Sequence, residues 1–137
     1  GELDAPYNAD PTKAGNDWIV LRFADILLMH VESIMAGANE TIDPAALVSF
    51  QSVRDRAGLT TPVTIVTKDA LLTERRVELA FENHRLFDLM RLGVAEDVLS
   101  AFSTANGYGF TSTDILLPIP QREIGLSLGN LTQNPGY

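Results

Sequence analysis

Apolar side chains recur at helical spacing from about Trp18 to Ala38. At about 100° per residue, Phe23, Ala24, Leu27, Leu28, Val31, Ile34, Met35 and Ala38 share one arc, with Leu21 at its edge. Asp25 and Glu32 fall on the opposite side, and Gly37 and Asn39 supply a stop. A second helix has a clear start: Asp43 can cap the free amides and Pro44 takes the first helical position. Ala46, Phe50, Val53 and Ala57 form its narrow apolar stripe, and Gly58 suits its C-terminal cap. Two helices joined by a short loop predict an antiparallel hairpin.

Residues 59–66 read as an extended connector. Thr67 then caps a third helix expected from about Lys68 to Leu92, ending at Gly93. Leu72, Leu79, Leu86 and Met90 make one apolar stripe, and Val77, Ala80, Phe81 and Phe87 make another. Between them runs a polar strip of Glu74, Arg75, Glu78, Glu82 and Arg85. A helix apolar on two sides is packed on two sides. A short fourth helix is expected over Ala95–Phe102, and Ser103–Asp114 reads as loop. Ile115–Pro120 is extended and broken by two prolines, Gln121–Ser127 suits one helical turn, and the chain closes on turn chemistry. The fold class is all-α, with irregular loops and an extended, proline-rich C-terminal segment.

Composition narrows the function classes. Among 137 residues, ten Lys and Arg stand against eighteen Asp and Glu, a net charge of −8. An acidic surface argues against nucleic acid and against a polybasic membrane binder. With no Cys, disulfides, thiolate zinc sites and Cys nucleophiles are excluded. No apolar run reaches the roughly 20 residues of a membrane helix. The mean hydropathy of +0.06 is nonetheless high for so acidic a domain.

Glu74, Glu78 and Glu82 stand four apart, a pattern that suits a glycosidase carboxylate pair (Glu78 and Glu82) or ligands for a hard cation. The favoured reading is a structural ion-pair strip. Arg75 and Arg85 sit at neighbour spacing to Glu78 and Glu82, and Arg54 flanks the second helix's stripe, where it can reach across. His30 and His84 are too far apart for a two-His metal motif and read as satisfied polar residues. Gly125–Gly129 matches G-x-S-x-G, but both histidines precede Ser127 and no strand leads into it, so it reads as chance. The sequons at Asn39 and Asn130 carry no weight, and no phosphate-binding glycine loop is present. Tyr7, Trp18, Tyr108 and Phe110 are candidates for exposure. Tyr108 and Trp18 are the ones named for sugar stacking, Tyr108 first because glycines flank it. Nothing calls for a cofactor or a metal.

Five segments then occur in order. They are Arg22–Glu32, Val53–Leu59, Glu74–Arg91, Leu117–Ile124 and the closing Leu131–Tyr137. Together they resemble the C-terminal part of the SusD/RagB family, outer-membrane lipoproteins of Bacteroidetes that bind glycans for uptake. The resemblance implies tetratricopeptide-like helical hairpins and non-covalent binding without catalysis. Its implied partners are an oligosaccharide or polysaccharide, a SusC-like TonB-dependent transporter, and the remaining N-terminal part of the same protein. Residues 1–17 then read as an irregular lead-in and 18–137 as a C-terminal SusD-like helical domain, a fragment of a larger protein at the cell surface whose lipid anchor lies upstream. A tetratricopeptide-like scaffold that only contacts protein is the alternative, suggested by the hairpin and the doubly apolar third helix.

Overall fold

The computed structural model describes residues 19–137, so the lead-in and Trp18 lie outside the described residues. The chain divides into two compact units, the first closing at Glu82 and the second opening at Asn83. In the first unit α1 spans Phe23–Met35, α2 Pro44–Arg56 and α3 Lys68–Glu78, with two short strands, β1 (Glu40–Thr41) and β2 (Val66–Thr67). In the second, α4 spans Arg85–Arg91, α5 Ala95–Asn106 and α6 Gln121–Leu126, with a 3-10 turn at Ser112–Ile115. The architecture is all-α.

The caps explain where the helices begin. Asp43 Oδ1 accepts hydrogen bonds from the Ala45 and Ala46 amides at 2.8 and 3.4 Å, with Pro44 at the first helical position. Thr67 Oγ1 accepts from the Ala70 amide at 3.1 Å and starts α3. α1 begins at Phe23, later than its apolar pattern suggested, because Arg22 is extended (φ −138°, ψ 163°).

α1 and α2 form an antiparallel hairpin. The N-terminal end of α1 (Ala24, Leu27) shares a cleft with the C-terminal end of α2 (Val53, Arg56), and His30 meets Ser49 midway. Leu28, Val31 and Met35 of α1 pack on Ala46, Phe50 and Val53 of α2, with Val66 and Leu71 closing the core. Fully burying one such side chain contributes about 1.5–3 kcal/mol. The loop after α1 carries a contact the apolar pattern did not foresee: Glu40 pairs with Thr67 and Thr41 with Val66, antiparallel. This ladder ties the extended connector back to the hairpin.

Two expectations about helix faces change. The buried face of α1 is turned toward Asp25, which is itself buried, while Phe23 faces solvent. The third helix is not continuous to Leu92; α3 stops at Glu78 and α4 starts at Arg85. Between them Phe81 (φ +68°) and Asn83 (φ +63°) are left-handed. Asn tolerates that conformation, whereas for Phe it is an outlier. Arg22 takes the Glu78 carbonyl, the group that the Glu82 amide would bond in a continuing helix, and that amide bonds to Leu79 O at 3.2 Å instead.

In the second unit α5 runs on to Asn106 and ends on Gly107 (φ +72°). The C-terminal tail is fastened by side chains. Gln133 accepts from the Ile119 amide at 2.8 Å and donates to the Ile119 carbonyl at 2.9 Å, and Asn134 donates to Leu117 O at 2.7 Å. An amide side chain thus does for Ile119 what a neighbouring strand would do. At Gly136 (φ +96°) a Cβ would lie 2.7 Å from Thr113 Oγ1, so only glycine fits.

Candidate functional site

The three glutamates of the expected strip are held by arginines. Arg22 Nε donates to both Glu82 carboxylate oxygens at 3.0 and 2.9 Å, and its Nη1 donates to Glu78 Oε1 at 2.5 Å. Arg56 reaches the same Glu78 oxygen at 2.6 Å, and Arg54 donates to Glu74 at 2.9 Å. The hydrogen bond to Glu82, then those to and the charge of Glu78, push the Arg22 pKa up, while desolvation opposes them.

Arg75 of the strip reaches the first helix. It pairs with Asp25 on α1 at 2.8 Å, both side chains being about 95% or more buried. Arg85 opens α4, so the break in the expected third helix falls between it and Glu82. Arg22 was missed as a partner by the sequence reading. Its only signal was the clustering of carboxylates that need a cation from elsewhere.

This geometry does not suit glycoside hydrolysis. A catalytic carboxylate pair needs room for the sugar and a water between its members. Here one guanidinium fills the space between Glu78 and Glu82. Ser127 is also occupied: its hydroxyl donates to Ile124 O at 2.7 Å and accepts from the Leu131 amide at 3.0 Å, which shapes a turn. His30 Nδ1 lies 2.9 Å from Ser49 Oγ at the α1–α2 interface. No group of three His, Asp or Glu able to hold a metal occurs among the described residues.

Tyr108 is 65% exposed, just past the end of α5. It is not isolated between its glycines. Its ring lies 5.7 Å from that of Phe102, centroid to centroid, with the planes inclined by 31°. Phe102 was the residue missed. The signal that could have found it is Gly107, which caps a helix longer than the one expected and folds Tyr108 back onto its last turns.

Two of the clefts formed by the described residues lie in the first unit. One, of about 440 Å³, lies among Phe50, Arg54, Val63, Ile65, Asp69 and Glu74. The Arg54 guanidinium sits 5.9 Å from the Phe50 ring centroid there, a cation–π contact. The other, of about 340 Å³, is bounded by Arg22, Phe23, Leu27, Val53 and Arg56.

The sequence profile of the SusD family matches residues 3–137. The chain belongs to the SusD family. Among its relatives, SusD-like protein P2 of Formosa agariphila is 28% identical over 91% of this chain and 27% of its own length. SusD-like protein P25 of the same organism is 34% identical over 87% of this chain and 24% of its own. Among solved structures, surface glycan-binding protein A from Bacteroides thetaiotaomicron superposes with a TM-score of 0.73 at 35% identity, over 90% of this chain and 26% of that one. The chain therefore spans about a quarter of the SusD relatives it matches.

Within this SusD fold the five segments do structural work. Arg22 and Asp25 of the first segment hold residues of the third, and the closing Gln133–Asn134 holds the Leu117–Ile119 run of the fourth. No helix among the described residues is long and apolar enough to cross a membrane.

Proposed function

We propose that this chain is the C-terminal part of a cell-surface glycan-binding lipoprotein that captures oligosaccharide for import through a TonB-dependent transporter. The observation that carries the reading is the likeness to a surface glycan-binding protein at 35% identity over nine-tenths of this chain. Binding is non-covalent, and the arginine between Glu78 and Glu82 supports a role without catalysis. The lipid anchor lies upstream of this segment, which places the protein at the outer membrane facing outward.

A tetratricopeptide-like contact surface is a second reading, and it is compatible with the first. Val77, Ala80 and Phe81 of the second apolar stripe are exposed in the first unit, and Phe87 is exposed in the second. These residues suit cover by the remaining part of the same protein.

The test is a calorimetric titration of the full-length protein against an oligosaccharide panel, with co-purification of the transporter alongside. Saturable heat with at least one glycan is expected. Absence of binding to every glycan overturns capture and leaves the contact-surface reading.

A further inference from the structure

We infer that Phe102 and Tyr108 together form a stacking subsite for an uncharged pyranose, an inference that rests on the glycan-binding reading above. Both rings face water, Phe102 at 56% and Tyr108 at 65% exposure, although folding normally withdraws such area. They are held at the surface by a fixed loop. Ser103 is buried, and its hydroxyl donates to the Tyr108 carbonyl and accepts from the Phe110 amide at 3.0 Å. The Ser103 carbonyl accepts from the Tyr108 amide at 3.0 Å, completing a three-point fastening. Gly107, left-handed at φ +72°, lets the chain reverse so that Tyr108 lies against Phe102.

The backbone of the loop is thus ordered before any ligand arrives, which lowers the entropic cost of binding. The C–H face of a pyranose can lie on an aromatic π face, and the Tyr108 hydroxyl can both donate to and accept from a ring hydroxyl at the rim. The ligand's charge follows from the neighbourhood. From Leu92 to Gln121 the chain carries Glu96, Asp97 and Asp114 and no Lys or Arg. Carboxylate or sulfate groups are recognised by charge-assisted donors, which this segment between Arg91 and Arg122 lacks, and its three carboxylates disfavour them. An uncharged sugar meets neither obstacle.

The experiment titrates the full-length protein with neutral hexasaccharides of gluco, xylo and manno type, and with a hexauronate of equal length. Phe102→Ala and Tyr108→Ala are each expected to weaken the neutral ligand about five- to tenfold, with Tyr108→Phe keeping most of the affinity. Saturation-transfer NMR on the unsubstituted protein reads ring-to-sugar contact directly and decides the matter where an alanine variant fails to fold. Undiminished binding in both alanine variants, or no transfer from Tyr108, overturns the subsite and leaves glycan capture standing. Tighter binding of the hexauronate overturns the uncharged class. No binding of any sugar overturns the subsite and the reading beneath it.

Discussion

Asp25 of α1 and Arg75 of α3 meet at 2.8 Å, with both side chains almost wholly withdrawn from water. A buried pair of this kind is weak evidence of net stabilisation, because desolvation offsets attraction. Breaking it is another matter, since the survivor is left charged and buried. Asp25→Ala or Arg75→Met is expected to cost about 3–5 kcal/mol. Typical domains hold about 5–15 kcal/mol in total, so either variant is close to unfolding. The double variant Asp25→Leu/Arg75→Met is expected to recover most of the loss. Urea denaturation of the three variants checks this, and single losses that simply add in the double variant count against the pairing.

Arg22 clamps the end of α3 through Glu78 and the following turn through Glu82. Lysine has no planar fork and cannot serve both carboxylates and the Glu78 carbonyl at once. Arg22→Lys is expected to lose about 1–2 kcal/mol, the partly open position discounting the gain from charge-assisted bonds. The Arg22 pKa is raised in the folded state by Glu82 and Glu78. Its contribution is therefore fully present below the unfolded-state pKa and is lost only as pH climbs through the raised folded value, deep in alkali. The stability gap between the native protein and Arg22→Lys should stay flat across the neutral range. Faster amide exchange at Glu82 and Asn83 in the variant is the local readout.

What the chain's pattern made legible were features with local causes. Asp43, Pro44, Thr67 and Gly58 act as caps through contacts within one turn, so their spacing alone announces α2 and α3. Features set by distant partners were hidden. Asp25 reads as solvent-facing until Arg75, far along the chain, gives its charge a partner. The α3–α4 break needs Arg22 to remove a carbonyl from the helical ladder, and no local signal reports that. The last turn of α5 was hidden differently. Ser103, Thr104 and Asn106 are poor helix formers that bond local carbonyls, Thr104 to Ser100 O and Asn106 to Phe102 O, so the segment looks like loop. Phe102 was lost from the candidate site with it.

The closing segment is held by Gln133 on both polar atoms of Ile119 and by the close passage of Gly136 over Thr113. Gln133→Ala leaves a donor and an acceptor of Ile119 without their partner, at about 1–3 kcal/mol. Gly136→Ala forces a Cβ toward Thr113 at a left-handed φ and should also destabilise. Gly136→Ala/Thr113→Ala is expected to relieve only the clash and not the backbone strain. Limited proteolysis of the tail reports both effects: release of residues past Ile119 should quicken in each single variant and remain intermediate in the double one.

Phe81 combines two properties that rarely coincide, full exposure and a left-handed backbone at φ +68°. Strain of this kind costs about 1–3 kcal/mol and persists where the surroundings fix it, here the Arg22 bonds to Glu78 and Glu82 on either side. In the isolated 137-residue chain the ring buries nothing in return. Phe81→Gly should therefore raise its stability by about 1 kcal/mol, after the added freedom of the unfolded glycine is subtracted. Exposed Val77 and Phe81 should also drive the isolated chain to self-associate with rising concentration, and Val77→Ser/Phe81→Gly should reduce this in sedimentation. If the remaining chain covers Phe81, as proposed above, the full-length protein responds with the opposite sign, because it loses a packed ring. Denaturation of both lengths compares the two. Stabilisation by Phe81→Gly in the full-length protein as well would mean that the ring faces water there too, and that the exposed stripe awaits a separate partner.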